Sequence, residues 1–174
     1  AKEFLQTLIH VGDSVRIVPD IEIWDKYHRV LAYVFKDELN INVEMVRAGM
    51  AVPYPIYPNF RHLPELRQAV IEARTQKRGV FFSMPALSEL PFEFRMRIRR
   101  SQPNKYVGDY STRVLYAPHE YSVVELENRV FFYKRGDALK SGYKFRVTTD
   151  SIADLIDKKY EGKTFSEVLK APVS

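Results

Sequence analysis

At 174 residues the chain is long enough for one or two small domains with a proper core. Its composition, 45% apolar and 13% aromatic, excludes a disordered class, and the lack of cysteine excludes disulfides, thiolate zinc sites and a cysteine nucleophile. With 27 Lys and Arg against 22 Asp and Glu the net charge is +5, which permits a polyanionic partner without requiring one, and no apolar run approaches membrane-spanning length.

Ala1, Phe4, Leu5, Leu8 and Ile9 recur at helical spacing. They predict an amphipathic helix with no capping residue before it, so an upstream segment is expected. Gly12-Asp13 turn the chain into a half-buried strand over residues 14–18. The nearly continuous apolar run 30–35 predicts a strand buried on both faces, followed by a polar turn at Lys36-Asp37-Glu38. Asn42 is the expected N-cap of a helix over 43–48, and Gly49 supplies its left-handed C-terminal position. Leu63-Pro64 opens a longer helix with Leu66, Ala69, Val70 and Ala73 on its apolar face, closed by Gly79. Pro85, Ser88 and Pro91 mark a boundary over 83–91. Beyond it Phe92, Phe94, Met96 and Ile98 alternate with Glu93, Arg95, Arg97 and Arg99, a period that predicts a strand with one basic face. Further strands are expected at 113–116 and 129–133. Thr149-Asp150-Ser151 caps a predicted helix that runs to about Tyr160 and ends at Gly162.

The segment Asp25-Lys26-Tyr27-His28-Arg29 lies between the first two strand patterns. After it come a helix ending in Val46-Arg47-Ala48-Gly49-Met50-Ala51, the stretch Val52-Pro53-Tyr54-Pro55-Ile56-Tyr57-Pro58-Asn59, and a longer helix ending at Arg78-Gly79. That order resembles the C-terminal part of staphylococcal-nuclease-like (thermonuclease) domains, whose signature reads Asp-Lys-Tyr-Gly-Arg. The resemblance covers residues 1–84 and implies a partial OB-fold barrel with helices. It also implies that Arg29 binds the scissile phosphate, where a permanently charged planar donor can make two parallel hydrogen bonds and stabilise developing charge. Without the resemblance, Arg29 reads as a surface arginine paired with Asp25 or Glu22. Lys26 and Tyr27 are implied to line a nucleotide pocket. Tyr54 and Tyr57 are the counterparts of the family's phosphate- and base-contacting tyrosines, though this stretch is one residue shorter and richer in proline, and such tyrosines also serve as rim packing. His28 stands where the family has glycine. A turn histidine at positive φ and a general base both remain open, the first favoured because no paired carboxylate is evident.

In such domains two aspartates, a glutamate and a threonine ahead of the first helix hold Ca²⁺ and orient the attacking water. Nothing in residues 1–9 supplies them, and Asp13, Asp20, Asp25 and Asp37 lack metal-loop spacing. The resemblance therefore implies Ca²⁺ only with upstream carboxylates, and an N-terminal segment or partner protein that completes the five-stranded barrel. A second resemblance covers residues 105–174. Lys105-Tyr106-Val107-Gly108-Asp109, Val114-Leu115-Tyr116-Ala117-Pro118, Glu127-Asn128-Arg129-Val130-Phe131-Phe132 and Ser141-Gly142-Tyr143 are similar to the small zinc-binding module of the Ada DNA-repair protein. Glu120 and Arg146 stand about where two of its cysteine ligands would be, so zinc is not expected and an aromatic core of Tyr106, Tyr116, Phe131, Phe132 and Tyr143 would hold the module.

The chain as a whole reads as α+β: a partial OB domain over 1–84, a linker and basic strand over 85–104 whose Arg95 and Arg97 would hold substrate, and a small mixed α/β module over 105–174. Two functions follow. One is the C-terminal part of a Ca²⁺-dependent nuclease acting on DNA or RNA, with nucleic acid as partner. The other is a non-catalytic scaffold or subunit of a larger assembly.

Overall fold

Alternating apolar residues build the first sheet. Strands β1 (Arg16–Trp24) and β2 (Val30–Lys36) pair antiparallel from Arg16↔Phe35 to Trp24↔Val30, and β3 (Leu39–Asn40) continues the sheet beyond β2. β1 is thus an edge, a position that tolerates Pro19. Between Pro19↔Ala32 and Trp24↔Val30 the register shifts, so residues 20–23 stand opposite Leu31 alone. Side chains take over the backbone pairing there. Asn59 accepts from the Glu22 amide at 2.8 Å and donates to the Glu22 carbonyl at 2.8 Å. Buried Asp20 accepts from the amides of Ile21 and Arg61, both at 2.9 Å.

Two expectations for this sheet need correction. β1 runs on to Trp24 because Asn59 and Asp20 satisfy its bulged backbone, a long-range device invisible to local patterning. β2 is not buried on both faces: only Phe35 is, and the others are half-buried or exposed because the sheet opens onto a groove.

Helix α1 (Lys2–Leu8) has no side-chain cap. Helix α2 (Ile41–Arg47) is capped by Asn40 rather than by Asn42. Asn40 accepts from the amides of Asn42 and Val43 at 3.1 and 3.3 Å, which leaves Asn42 to accept from the Val34 amide at 2.9 Å and tie the helix to β2. Helix α3 (Leu63–Thr75) carries proline in its first turn and buries the expected Leu66, Ala69, Val70 and Ala73. Its Leu66, Ala69 and Val70 meet Val43 and Val46 of α2, with Tyr33 and Phe81 packed alongside. Burial of each such Leu or Val stabilises by about 1.5–3 kcal/mol.

Residues 92–98 form a helix capped by Arg99, not the basic strand that the alternation over 92–99 predicts. Helix α4 (Pro91–Ile98) starts with proline at N1, and the Glu93 carboxylate accepts from the Leu90 amide at 2.6 Å. These start signals act within one turn, whereas an alternating segment gains only if a sheet takes its apolar face. Here Phe92 finds the core while Phe94 and Ile98 stay exposed.

In the second sheet β4 (Tyr106–Asp109) lies between β5 (Val114–Tyr116) and β6 (Arg129–Phe132), near the expected strands at 113–116 and 129–133. Helix α5 (Arg135–Lys140) follows β6. The extended strap 53–58 joins this sheet: the Phe131 amide donates to the Pro55 carbonyl and the Tyr57 amide to the Phe131 carbonyl, both at 2.9 Å. Tyr54 and Ile56 thereby pack on Val107, Val124 and Phe131. From α3, Arg67 holds Asn128 at 2.6 Å, and Arg74 pairs with Glu127.

This is a computed structural model, and it describes residues 1–82 and 89–146. The helix expected from residue 149 and most of the boundary at 83–91 lie outside them. Residues 1–144 form one compact unit and Phe145–Ser174 a second. The described residues are α+β with two sheets and no closed barrel, consistent with an OB-type nuclease-like fold. No helix among them is long and apolar enough to cross a membrane.

The ends of α2 and α3 meet backbone to backbone at Gly49 (φ +69°) and Gly79 (φ +49°). A Cβ on Gly49 would lie 2.2 Å from the Arg78 carbonyl oxygen, and the Gly49 carbonyl accepts from the Val80 amide at 2.9 Å. Left-handed strain and overpacking therefore add in Gly49→Ala, which is expected to lower unfolding stability by roughly 2–4 kcal/mol in denaturant titration.

Candidate functional site

The hairpin between β1 and β2 is organised by one carboxylate. Asp25 Oδ1 accepts from the amides of Tyr27 and Arg29 at 2.8 and 2.9 Å, and its Oδ2 takes Arg29 Nε at 2.7 Å and Nη2 at 2.6 Å. The Arg29 amide and guanidinium hold the Asp25 carboxyl below its ordinary range. The Asp25 side chain is 15% exposed and that of Arg29 74%, so the arginine is anchored at its base and presented at its tip. Its Nη1 has no partner among the described residues. The Tyr27 ring lies beneath two cations, Lys26 Nζ at 5.0 Å and the Arg29 guanidinium at 5.3 Å.

His28 closes this turn at φ +59°. That accounts for the glycine of the resembled signature: the fourth residue of the turn is left-handed, which histidine tolerates and a β-branched residue does not. His28→Val is expected to lower stability by about 1–2 kcal/mol, with His28→Gly folding at least as well, read as shifts in thermal midpoint.

A groove of about 1360 Å³ opens beside the hairpin. Lys26, Tyr27, Arg29, Tyr54 and Arg95 all line it. Tyr57 does not: its ring packs on Phe132 at 5.5 Å and on Phe60 at 6.1 Å. Arg97 is turned to Glu89, with two hydrogen bonds at 2.9 Å. The helical geometry of α4 explains the split. Phe92, Arg95, Met96 and Arg99 are spaced i, i+3, i+4 and i+7 and share the face on the groove, so Arg97 falls elsewhere. The Arg99 cation, then Lys26, lowers the pKa of the Tyr27 phenol.

Sequence reasoning placed Arg99 only within the substrate-holding basic strand of residues 95–100 and gave no site role to Lys105, Tyr133 or Trp24; all four line the groove. Helical spacing of 92, 95, 96 and 99 was the one available signal for Arg99. Tyr54 stacks on Phe92 with centroids 5.2 Å apart, and burial pushes its phenol up to about 12. The folded protein keeps that proton through a range where an unfolded tyrosine, near 10.0, has lost it. The contribution to stability is whole below the unfolded value and disappears as pH rises toward the folded one. Unfolding midpoints of the wild type are expected to fall across that alkaline window, and Tyr54→Phe to fall less steeply.

Calcium, which the resemblance implies, does not fit the carboxylates described. Both oxygens of Asp25 and both of Asp20 already accept hydrogen bonds. Among the described residues no group of three or more His, Cys, Asp or Glu side chains gathers as a metal site.

Residues 1–82 match the staphylococcal nuclease homologue family. The chain is also 32% identical over 176 residues to Endonuclease YhcR of Bacillus subtilis (strain 168), which takes in 92% of this chain and so reaches well past the nuclease-like region. An uncharacterised protein of Bacillus anthracis is 43% identical over 72 residues, 40% of this chain. The chain spans 14% of the length of the first relative and 34% of the second.

Proposed function

We propose that the complete protein hydrolyses phosphodiester bonds in nucleic acid, and that the residues described here bind the scissile phosphate and the strand around it. The observation that carries this reading is the anchored Arg29, whose Nη1 has no partner among the described residues, at the rim of a groove whose wall is cationic and aromatic. Asp25 fixes the guanidinium before substrate arrives, so little ordering remains to be done on binding. Its free N–H groups would meet the non-bridging phosphate oxygens and stabilise charge as it builds there. Lys26, Tyr27, Tyr54 and Arg95 hold the flanking nucleotides. The endonuclease name of the Bacillus subtilis relative and the family match support this reading.

Calcium dependence, in this reading, rests on carboxylates outside the residues described, because Asp20 and Asp25 are committed to hydrogen bonds. The same commitment favours a second reading, in which a nuclease-like fold serves as scaffold or subunit. The exposed apolar residues of β1, among them Ile17, Ile21 and Ile23, suit coverage by further strands from the protein or a partner. Residues 105–146 keep the proposed kinship with a metal-free Ada-like module on the order of their motifs alone.

Arg29→Ala in the full-length protein decides between the two functions. Loss of cleavage by about 100-fold or more, with a thermal midpoint close to wild type, is expected for the enzyme, since exposed ion pairs add little stability. Equal cleavage by both proteins removes Arg29 from the reaction, and cleavage by neither with calcium supplied leaves the scaffold.

A further inference from the structure

Several cations of this chain are clasped by a carboxylate. Lys36 pairs with Asp13, Arg47 with Glu72, Arg61 with Asp20, Arg74 with Glu127 and Arg97 with Glu89. Lys26, Arg95, Arg99 and Lys105 line one groove, and none has a carboxylate at ion-pair distance among the described residues. Lys105 is the extreme case. Its Nζ lies 4.8 Å from the Tyr133 ring centroid and 5.5 Å from that of Tyr54, and its hydrogen bond is a 3.2 Å contact to Asn104 Oδ1. Burial, then the nearby charges of Lys26 and Arg95, lower its pKa.

An ammonium held half-buried among other cations opposes folding unless something else compensates for it. Exposed lysines are free to swing into solvent, but this one is pinned between two rings. Tyr133 as a residue is 56% exposed next to it. A cation beside an open aromatic face is the pairing that takes one nucleotide of an unpaired strand, phosphate on the cation and base on the ring. A duplex keeps its bases stacked on each other and has none to offer.

We infer that Lys105, with Lys26 and Arg95 around it, is a second phosphate site in the groove of Arg29, and that Tyr133 is its base-stacking platform, so that the protein takes a single strand. This deepens the nuclease reading and rests on it. Lys105 and Tyr133 lie beyond the nuclease-like residues 1–82, so the following region supplies part of the substrate site rather than a separate function.

The test uses the full-length protein, a fluorescent oligothymidylate and a duplex of equal length, with chelator present so that nothing is cleaved. Wild type is expected to bind the oligothymidylate more tightly than the duplex. Lys105→Gln should weaken single-strand binding and reduce the salt slope by about 0.7, one phosphate contact on a single strand. Tyr133→Leu should weaken it roughly fivefold or more, the loss of one stacked base. Since the Lys105 charge is uncompensated, Lys105→Gln should fold with a thermal midpoint at or above wild type, and Lys105→Arg should keep the slope. An unchanged slope in Lys105→Gln, a lowered midpoint, or preference for duplex overturns the second site. If Arg29→Ala still abolishes cleavage in that case, the nuclease reading survives without it. If wild type binds neither oligonucleotide, both fall together.

Discussion

Two backbone hydrogen bonds to Phe131, one from each side of the strap 53–58, hold the two sheets in one unit. Prolines at 53, 55 and 58 leave this strap few amides to donate, so it can form neither a helix nor a full ladder. What it can do is lie extended and exchange a single pair of bonds with β6. That pairing sets Tyr54 against Phe131 with centroids 4.4 Å apart, and Phe92 of α4 closes on both rings. The position of α4, and with it Arg95 and Arg99, follows from this aromatic contact. The groove is therefore a product of packing between segments distant in sequence, with the hairpin of Arg29 as one wall and α4 and the second sheet as the other.

Charge is distributed to match. Away from the groove, arginines serve as clasps: Arg67 and Arg74 fasten α3 to the segment before β6, and Arg47 joins α2 to α3 through Glu72. Within it the cations rest on aromatic rings in place of carboxylates, at Lys26 and Arg29 over Tyr27 and at Lys105 over Tyr54 and Tyr133. A ring attracts a cation without neutralising it, so it orients the charge and leaves it available. Asp25 is the exception, and it acts on Arg29 from the buried side of the hairpin.

Much of this was legible where the cause is local. The Asp25–Arg29 turn, the left-handed Gly49 and the apolar face of α3 each depend on residues within a turn or two of one another. Arg29 reads both as the surface partner of Asp25 and as a candidate phosphate ligand, and the geometry is compatible with both, since Asp25 holds its base while its tip stays exposed. Residues 92–99 misled because two periods coexist there: every second residue is apolar, and every third or fourth faces the groove. The start signals at Pro91 and Glu93 decided for the helix. Asn59 clasping Glu22, and Lys105 meeting Tyr133, join residues 37 and 28 positions apart, and no local pattern carries that information. The same holds for Tyr57, whose place against Phe132 depends on how the strap meets β6.

The bulge in β1 has a colloidal side. A straight run of exposed apolar residues on a sheet edge would recruit copies of itself, ladder upon ladder, because each amide finds its complement at a constant spacing. Four residues set against one, with Asn59 occupying the backbone groups of Glu22, break that spacing at mid-strand. A straight strand laid along β1 can keep register on one side of the bend only. The oily edge is thus open to a partner shaped for the bend and poor at seeding a fibril.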